Sequence, residues 1–498
     1  MKYIAHISFP YYAYHTLIVI NEAMQYMESG DELIVLMCGG GVNRCYINVL
    51  GDKKICCLCK QMQTKWKSFI PSNIKFISYK DYLDKEHQNT YSNDEYRDRN
   101  DIIQLKYKNV RIGYGALSTY ISTNRNMNPE VNDKFKIYFD AHLNVQKNIT
   151  DIFERIIQEE KPDKVIVFNA RHFEVRPIFD YSLSKNIHVS CVEKGIGSDP
   201  EKWKYYRFEN CMPHNLKYIS GSIYTEWEQS TLTEEEKNIL GESFFRKRKL
   251  GQKAGDKIYT ENQIVGALPL NWNTKKRNFA IFNSSEDEFA AIGDEFSKLA
   301  FFDSQLSGIK KILDLTKEND DIHYYLRVHP NLIGINYKYH TDLYQLESHY
   351  SNITVIKADD VISTYALMDA VEKCIVFGSS TGIEAVYWDK PVILLAGALY
   401  YYLNGTYIPK SLDELKNLLE IHLPPLPKED AIKYGFYFLY DKGITFEYLP
   451  IKKEKIFGKS IYKIKGEKDI DAVKRLLWSN MIFRLSRKQY KLIPVSEQ

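Results

Sequence analysis

Long apolar runs are missing from this 498-residue sequence. No window reaches the roughly 18 uninterrupted apolar residues that a membrane-spanning helix needs. The opening stretch, residues 1–10, has one early lysine and then a short apolar run holding His6, too short for a secretory h-region, so it reads as a first strand and the expected location is the cytoplasm. An excess of one charge is missing too. With 67 Lys and Arg against 64 Asp and Glu, the formal net charge of +3 is small for this length and implies no broad nucleic-acid-binding field. Neither a phosphate loop of the G-x-x-x-x-G-K-S/T type nor a G-x-G-x-x-G fingerprint occurs, and Gly39-Gly40-Gly41 follows a strand without the required spacing. ATPase and dehydrogenase readings lose ground accordingly. No solenoid-type repeat is present.

What is there is an ordinary soluble composition, 44% hydrophobic and 26% charged, in a chain long enough for two cores. Tyrosine is abundant at 38 copies, and a phenol can stack on a sugar or base while hydrogen-bonding through its hydroxyl. The eight cysteines are expected as reduced thiols. Cys56 and Cys59 form a C-x-x-C that, with Cys38 and Cys45, is a candidate structural zinc set; the alternative is a group of small buried side chains near a strand end. No catalytic metal is expected.

The chain opens strand, helix, strand at 3–9, 14–27 and 31–37, and adds a strand at 73–78. Residues 79–147 are long, polar and irregular and read as an insertion before a helix at 149–159. A strand at 164–168, a helix at 173–184 and a strand at 187–192 complete an alternation typical of a parallel sheet. Residues 221–276 turn polar, with a charged helix at 233–253, and the domain boundary is placed there. A second alternation follows: strands at 279–283, 323–328, 353–357, 374–377 and 391–396, with helices at 301–316, 338–350, 363–371 and 382–388. The expected fold class is therefore α/β, with two Rossmann-like doubly wound domains at 1–270 and 271–410 and a mostly helical C-terminal segment at 411–498.

Ligands of open parallel sheets collect at the carboxyl ends of strands. His329 and Pro330 directly follow one predicted strand, and Ser379, Ser380, Thr381 and Gly382 follow another. Small hydroxyl residues at a helix start leave backbone N–H groups and a partial positive charge for a phosphate. Pro330 stiffens the turn behind His329, whose imidazole can donate to a phosphate oxygen. Arg327 and Glu384 lie nearby, Glu384 either accepting from a ribose or stabilising its helix end. Each motif taken singly has a plainer reading, an N-cap or a satisfied histidine. The two together at equivalent strand ends favour a site.

The segments Asn283-Ser284-Ser285-Glu286-Asp287-Glu288, Leu326-Arg327-Val328-His329-Pro330-Asn331, Gly378-Ser379-Ser380-Thr381-Gly382-Ile383-Glu384-Ala385 and Lys390-Pro391-Val392-Ile393-Leu394 resemble bacterial capsular and lipopolysaccharide glycosyltransferases. These include Kdo transferases and are similar to sialyltransferases with a His-Pro and a Ser-Ser or Ser-Thr motif. The resemblance implies a GT-B-type pair of Rossmann domains facing a cleft, a nucleotide-sugar donor in the second, an acceptor in the first, and metal-independent inversion without a further cofactor. It implies that His329, Ser379 and Ser380 contact the donor phosphate. Whether the nucleotide is CMP, UDP or GDP stays open.

The same families carry a catalytic acid in an acidic-acidic-glycine motif, whose nearest match is Glu193-Lys194-Gly195, with Lys194 where the carboxylate usually stands. Glu193 ranks first as base, ahead of Glu174, His172 and His6, all near predicted strand ends. Asn169, Arg171 and Arg176 are candidates for an anionic saccharide or lipid-linked acceptor. The final stretch, 474–491, mixes Leu477, Trp478 and Phe483 with Arg484, Arg487 and Lys488, which leaves open peripheral contact with an anionic bilayer; a helix packed on its own domain is the plainer reading. Two other functions are weighed: a CDP-alcohol phosphotransferase of teichoic-acid type, and an inactive scaffold of a polysaccharide assembly complex.

Overall fold

A computed structural model of the chain describes residues 1–27, 30–83, 94–195, 203–255, 257–440, 443–456 and 458–494. It divides into two compact units, Met1–Pro213 with Gly443–Glu497, and His214–Lys442.

Unit 1 begins with β1 (Lys2–Ile7), β2 (Glu32–Met37), β3 (Lys75–Ser78), β4 (Lys164–Phe168), β5 (His188–Lys194) and β6 (Lys204–Glu209). The first five pair in parallel in the order β5-β4-β1-β2-β3, and β6 adds antiparallel to β5. Parallel strands are covered on both faces, which is why β2 and β4 read as near-continuous apolar runs and are buried over most of their length. The strand order reverses between β1 and β4.

The stretch expected as an irregular insertion, 79–147, is instead largely helical: Arg99–Gln104, Ile112–Asn124 and the first half of Asp133–Glu160. Residues 84–93 of it lie outside the described residues. In the long helix Phe135, Tyr138, Phe139, His142, Leu143, Gln146, Ile149, Ile152, Phe153 and Ile156 recur at helical spacing and are buried, while Lys136, Asp140, Asn144, Asn148, Asp151 and Glu154 between them stay partly exposed. Its polar average hid that stripe. A further helix, Lys53–Lys67, starts where the Asp52 carboxylate accepts from the Lys54 amide at 2.8 Å.

Unit 2 carries β7 (Arg277–Phe282), β8 (Ile322–Arg327), β9 (Ile353–Ile356), β10 (Lys373–Val376) and β11 (Val392–Leu394), all parallel in the order β11-β10-β7-β8-β9. These are the five expected strands, and the α/β class with two doubly wound units holds. The order reverses between β7 and β10, the topological switch point at which such sheets bind ligands.

The units divide at 213/214, not near 270, because the polar region that read as a boundary folds onto unit 2. Glu295 accepts from the Leu216 amide at 2.8 Å at the start of helix Leu216–Gln229. Helix Glu234–Lys249, with a Thr233/Glu236 capping box, crosses helix Glu429–Leu439 at Gly241 and Gly435. A Cβ on Gly241 would lie 2.3 Å from the Ile432 carbonyl and one on Gly435 2.3 Å from the Gly241 carbonyl, so only glycine permits that approach.

The segment 411–498 is also not one helical tail. Helices Leu412–Glu420 and Glu429–Leu439 belong to unit 2. The chain then returns to unit 1 with β12 (Ile444–Thr445) antiparallel to β6, the hairpin β13 (Ile451–Ile456) and β14 (Lys459–Ile464), and helix Asp469–Tyr490. In β13 only Ile451 and Ile456 are buried, and the lysine-rich face between them masked the strand pattern. No helix among the described residues is long and apolar enough to cross a membrane.

Candidate functional site

At the switch point of unit 2 a cavity of about 260 Å³ opens at the carboxyl ends of β7, β8 and β10. Arg327, His329, Pro330, Ser379, Ser380, Thr381 and Glu384 all line it, so the two motifs picked from the sequence meet in one place. Gly382 is absent from the wall. A Cβ there would fall 2.1 Å from the Tyr400 hydroxyl, which donates to the Ser379 carbonyl at 2.5 Å and braces the turn from behind.

The ends of β7 and β8 are tied together by one side chain: Asn283 Oδ1 accepts from the His329 amide at 2.8 Å. The imidazole is oriented in turn. Its Nδ1 accepts from the Asn331 amide at 3.1 Å, which places the ring proton on Nε2, and the ring packs edge-on against Tyr259 with centroids 5.0 Å apart. The turn after β10 depends on Gly378, whose φ of +79° lies in the left-handed region and whose Cβ would meet the Gly397 carbonyl at 2.8 Å. Ser379 Oγ accepts from the Thr381 amide at 3.3 Å and donates to Thr381 Oγ1 at 3.1 Å, which sets up helix Thr381–Tyr387.

Two of the expected donor-binding side chains are engaged within the protein. Arg327 gives its terminal nitrogens to the carbonyls of Lys357 and Asp360, the latter at 3.0 Å; burial pulls its pKa down, partly opposed by Asp360. Glu384 has both oxygens occupied. Oε1 accepts from Arg248 Nε at 3.1 Å and pairs with its NH2 at 3.0 Å, and Oε2 accepts from Tyr365. Glu384 therefore holds Arg248 in place instead of offering a free acceptor. Arg248 also donates to the carbonyls of Ala254 and Lys257, each at 3.3 Å, and so fixes the segment that supplies Lys257, Tyr259 and Thr260 to the wall.

That segment and Arg248 went unread in the sequence because they lie in the polar stretch taken for a boundary, and Tyr365 because it sits within an expected helix with no motif around it. Asn283, Ser284 and Ser285 also line the cavity. Their signal was present: they follow β7 as His329 follows β8 and Ser379 follows β10. Gln305 grips this loop, accepting from the Ser284 amide at 3.0 Å and donating to its hydroxyl at 2.8 Å.

In unit 1 the acceptor-side candidates separate. Glu193, partly buried at the end of β5, accepts from Asn169 on Oε2 and from the Lys194 amide at 2.8 Å on Oε1; burial raises its pKa, with Asn169 opposing. Asn169 and Ala170 both have a φ of +61°, a left-handed pair that costs about 1 kcal/mol or more per residue and is tolerated where the surroundings impose it. Arg171 donates to Ser118 at 2.7 Å. Arg176 is fully buried in an ion pair with Asp180 at 2.9 Å, a carboxylate that Arg111 also holds at 3.0 Å, so it is an internal brace and no surface ligand. The His172 ring lies 4.4 Å from that of Tyr46, and burial pulls its pKa well down. His6 and Glu174 line a second, smaller cavity.

Cys38, Cys45, Cys56 and Cys59 line that same small cavity, yet no three His, Cys, Asp or Glu among the described residues form a group that could hold a metal ion. Each of three thiols is tied to a different neighbour: Cys38 to the Val42 carbonyl at 3.9 Å, Cys56 to Asn48 at 3.2 Å, Cys59 to Gln63 at 3.5 Å. All four cysteines are half-buried.

A comparison with curated proteins finds no match in sequence. Among solved structures the chain is similar to the Thermosulfurimonas dismutans KpsC beta Kdo 2,7 transferase (12% identity, 67% of this chain and 89% of that chain, TM-score 0.31). It is also similar to the beta Kdo 2,4 transferase of that KpsC (14%, 64% and 88%, TM-score 0.35) and to the Methanocaldococcus jannaschii UDP-GlcNAc 2-epimerase (10%, 87% and 97%, TM-score 0.25). Residues 294–417, the stretch that carries His329, Pro330, the turn Ser379–Thr381 and Glu384, match the family described as capsule polysaccharide biosynthesis protein, and the capsular resemblance read from those motifs holds for this segment.

Proposed function

We propose that this protein is a nucleotide-sugar-dependent glycosyltransferase of capsule-type polysaccharide assembly, with the donor's phosphates held in the unit 2 cavity. One observation carries the reading: His329 and the hydroxyls of Ser379, Ser380 and Thr381, from two different strand ends, wall a single cavity at the switch point. The match of residues 294–417 to a capsule biosynthesis family supports it.

On this reading the Nε2 proton of His329 and the hydroxyls of the Ser379–Thr381 turn face the phosphate as the bond to the sugar breaks. Donors already aimed at that position need no reorganisation when negative charge develops, so they act on the transition state more than on the bound donor. Transfer is direct displacement with inversion, and protein hydrogen bonds meet the phosphate charge without a metal. Glu193 takes the acceptor hydroxyl's proton, and burial, which raises its pKa, makes it a stronger base than an exposed carboxylate. Glu384 and Arg248 serve as positioning residues for the cavity wall.

A thermal-shift screen with CMP-, UDP- and GDP-sugars tests this. One nucleotide class raises the unfolding temperature, as expected when ligand at a hundredfold excess over Kd adds about 2.7 kcal/mol. Transfer with that donor persists in EDTA. If no nucleotide shifts the transition, the transferase reading falls.

A further inference from the structure

The charge of this chain is spread unevenly. Residues 450–491, the hairpin β13–β14 and the helix Asp469–Tyr490, hold 13 Lys and Arg against 4 Asp and Glu, an excess larger than the +3 of the whole chain, so the remainder is net acidic. The four carboxylates are already paired: Glu454 and Asp469 with Lys463 at 3.0 and 2.7 Å, Glu467 with Arg475 at 2.9 Å, and Asp471 with Lys65 at 3.0 Å. Lys474, Arg484, Arg487, Lys488 and Lys491 are exposed and have no ion-pair partner among the described residues.

The helix is fastened on one face and bare on the other. Ser479 donates to the Tyr11 carbonyl at 2.7 Å, Gln489 to Asn48 at 2.8 Å and Tyr490 to the Tyr46 carbonyl at 2.9 Å, all within unit 1. On the other side Ile470, Lys474, Leu477, Met481, Arg484, Lys488 and Lys491 follow one another at the alternating three- and four-residue spacing that keeps side chains in line on a helix, and every one is exposed. Leu477 and Met481 in this seam, and Leu492 just past the helix end, are 56%, 50% and 72% exposed. No acidic residue occurs between Asp471 and Glu497. A face that only meets water ordinarily interleaves both signs of charge and carries few large apolar side chains, so this one calls for a partner.

We propose that this face docks on an anionic lipid bilayer, with the cations against headgroup phosphates and Leu477, Met481 and Leu492 dipping beneath them. Arg484, Arg487, Lys488 and Lys491 border a hollow of about 400 Å³, room enough for such phosphates, and the hairpin, joined to the helix where Arg475 donates to the Tyr462 carbonyl at 2.8 Å, exposes Lys452, Lys453 and Lys455 as well. A nucleic acid or other soluble polyanion would meet the charges and leave the apolar side chains in water. A neutral membrane would meet only the apolar ones. An anionic bilayer meets both, and its attraction grows with each Lys or Arg brought near the surface. The surface belongs to unit 1 and is independent of the transferase reading.

Co-sedimentation of the full chain with vesicles of phosphatidylcholine, alone or mixed with phosphatidylglycerol, tests the proposal. The protein sediments with the mixed vesicles and not with phosphatidylcholine alone. Replacing three cations together, Arg484→Gln, Lys488→Gln and Lys491→Gln, weakens that binding on the order of a hundredfold. Leu477→Ser with Met481→Ser weakens it about tenfold, and far-UV circular dichroism is unchanged in both because the side chains are exposed. Should the triple variant misfold, high salt on the wild type screens the same charges and releases the protein. Sedimentation that is equal with phosphatidylcholine alone, that survives high salt, or that is unchanged in either folded variant overturns the proposal. So does binding to heparin with no sedimentation on any vesicle, which assigns the face to a soluble polyanion.

Discussion

Each unit buries a carboxylate beside its cavity, and the two are treated in opposite ways. In unit 2, Glu384 is held on one oxygen by Arg248 and on the other by Tyr365. In unit 1, Glu174 is held on one oxygen by the Tyr46 amide and has no partner among the described residues on the other, and burial pushes its pKa up to about 7. Histidines differ likewise. His329 in unit 2 has its tautomer set by the Asn331 amide, whereas His6 and His15 in unit 1 each have a buried Nδ1 with no partner among the described residues and are pulled down to about 3, chiefly by burial. The difference teaches that the buried carboxylate beside the unit 2 cavity is fixed on both oxygens, while the one beside the unit 1 cavity is fixed on one.

The largest expected effect comes from breaking the brace. Arg248→Met leaves Glu384 as an uncompensated buried charge and is expected to cost unit 2 about 3–5 kcal/mol in urea denaturation. Glu174→Gln, which removes a charge that was never paired, is expected to change stability by less than about 1 kcal/mol. Equal losses would erase the contrast between the units.

Next come the proposed catalytic groups. With the donor identified, His329→Ala is expected to lower kcat by about 10²–10³-fold, the loss typical of one transition-state hydrogen-bond donor, with the fold intact. Glu193→Gln is expected to abolish most transfer while donor binding persists. Near-normal rates in the first remove His329 from the chemistry, and in the second they move the base to another carboxylate or imidazole.

The smallest effect per step is in pH. His6, His15 and His142 have native pKa values near 3 against 6.5 for the free side chain, so the unfolded chain binds more protons below pH 6.5. Their contribution is complete above 6.5 and is lost as the pH falls toward 3, at roughly 1.4 kcal/mol per pH unit for each histidine. Glu174 works the other way: its pKa is raised from 4.5 to about 7, so its contribution is present below 4.5 and lost as the pH rises through 7, offsetting one histidine between 4.5 and 6.5. Unit 1 is therefore expected to loosen before unit 2 on acidification, as hydrogen exchange resolved by segment would report. Uniform acid loss across both units would count against the contrast.

Much of unit 2 was legible beforehand because its strands are short apolar runs ending in small polar residues, a pattern confined to a few neighbouring positions. The first half of helix Asp133–Glu160 and the hairpin β13–β14 were not legible, since lysines and acidic residues on their outer faces diluted the apolar stripe in any local average. The role of Glu384 was misjudged for a different reason. Its partner Arg248 lies 136 positions away, and no local pattern announces such a pairing.

By itself the sequence determined the alternation of strands and helices, the parallel sheets that follow from it, and the two strand ends at which His329 and the Ser379–Thr381 turn stand. These are matters of periodicity and turn chemistry, written within a few residues of one another. Only the tertiary structure decided that both ends share one cavity, that Glu384 is spent on Arg248, and that the C-terminal residues return to unit 1. Those facts depend on which distant segments pack together, and packing is a property of the whole chain's buried surface, which no stretch of it records alone.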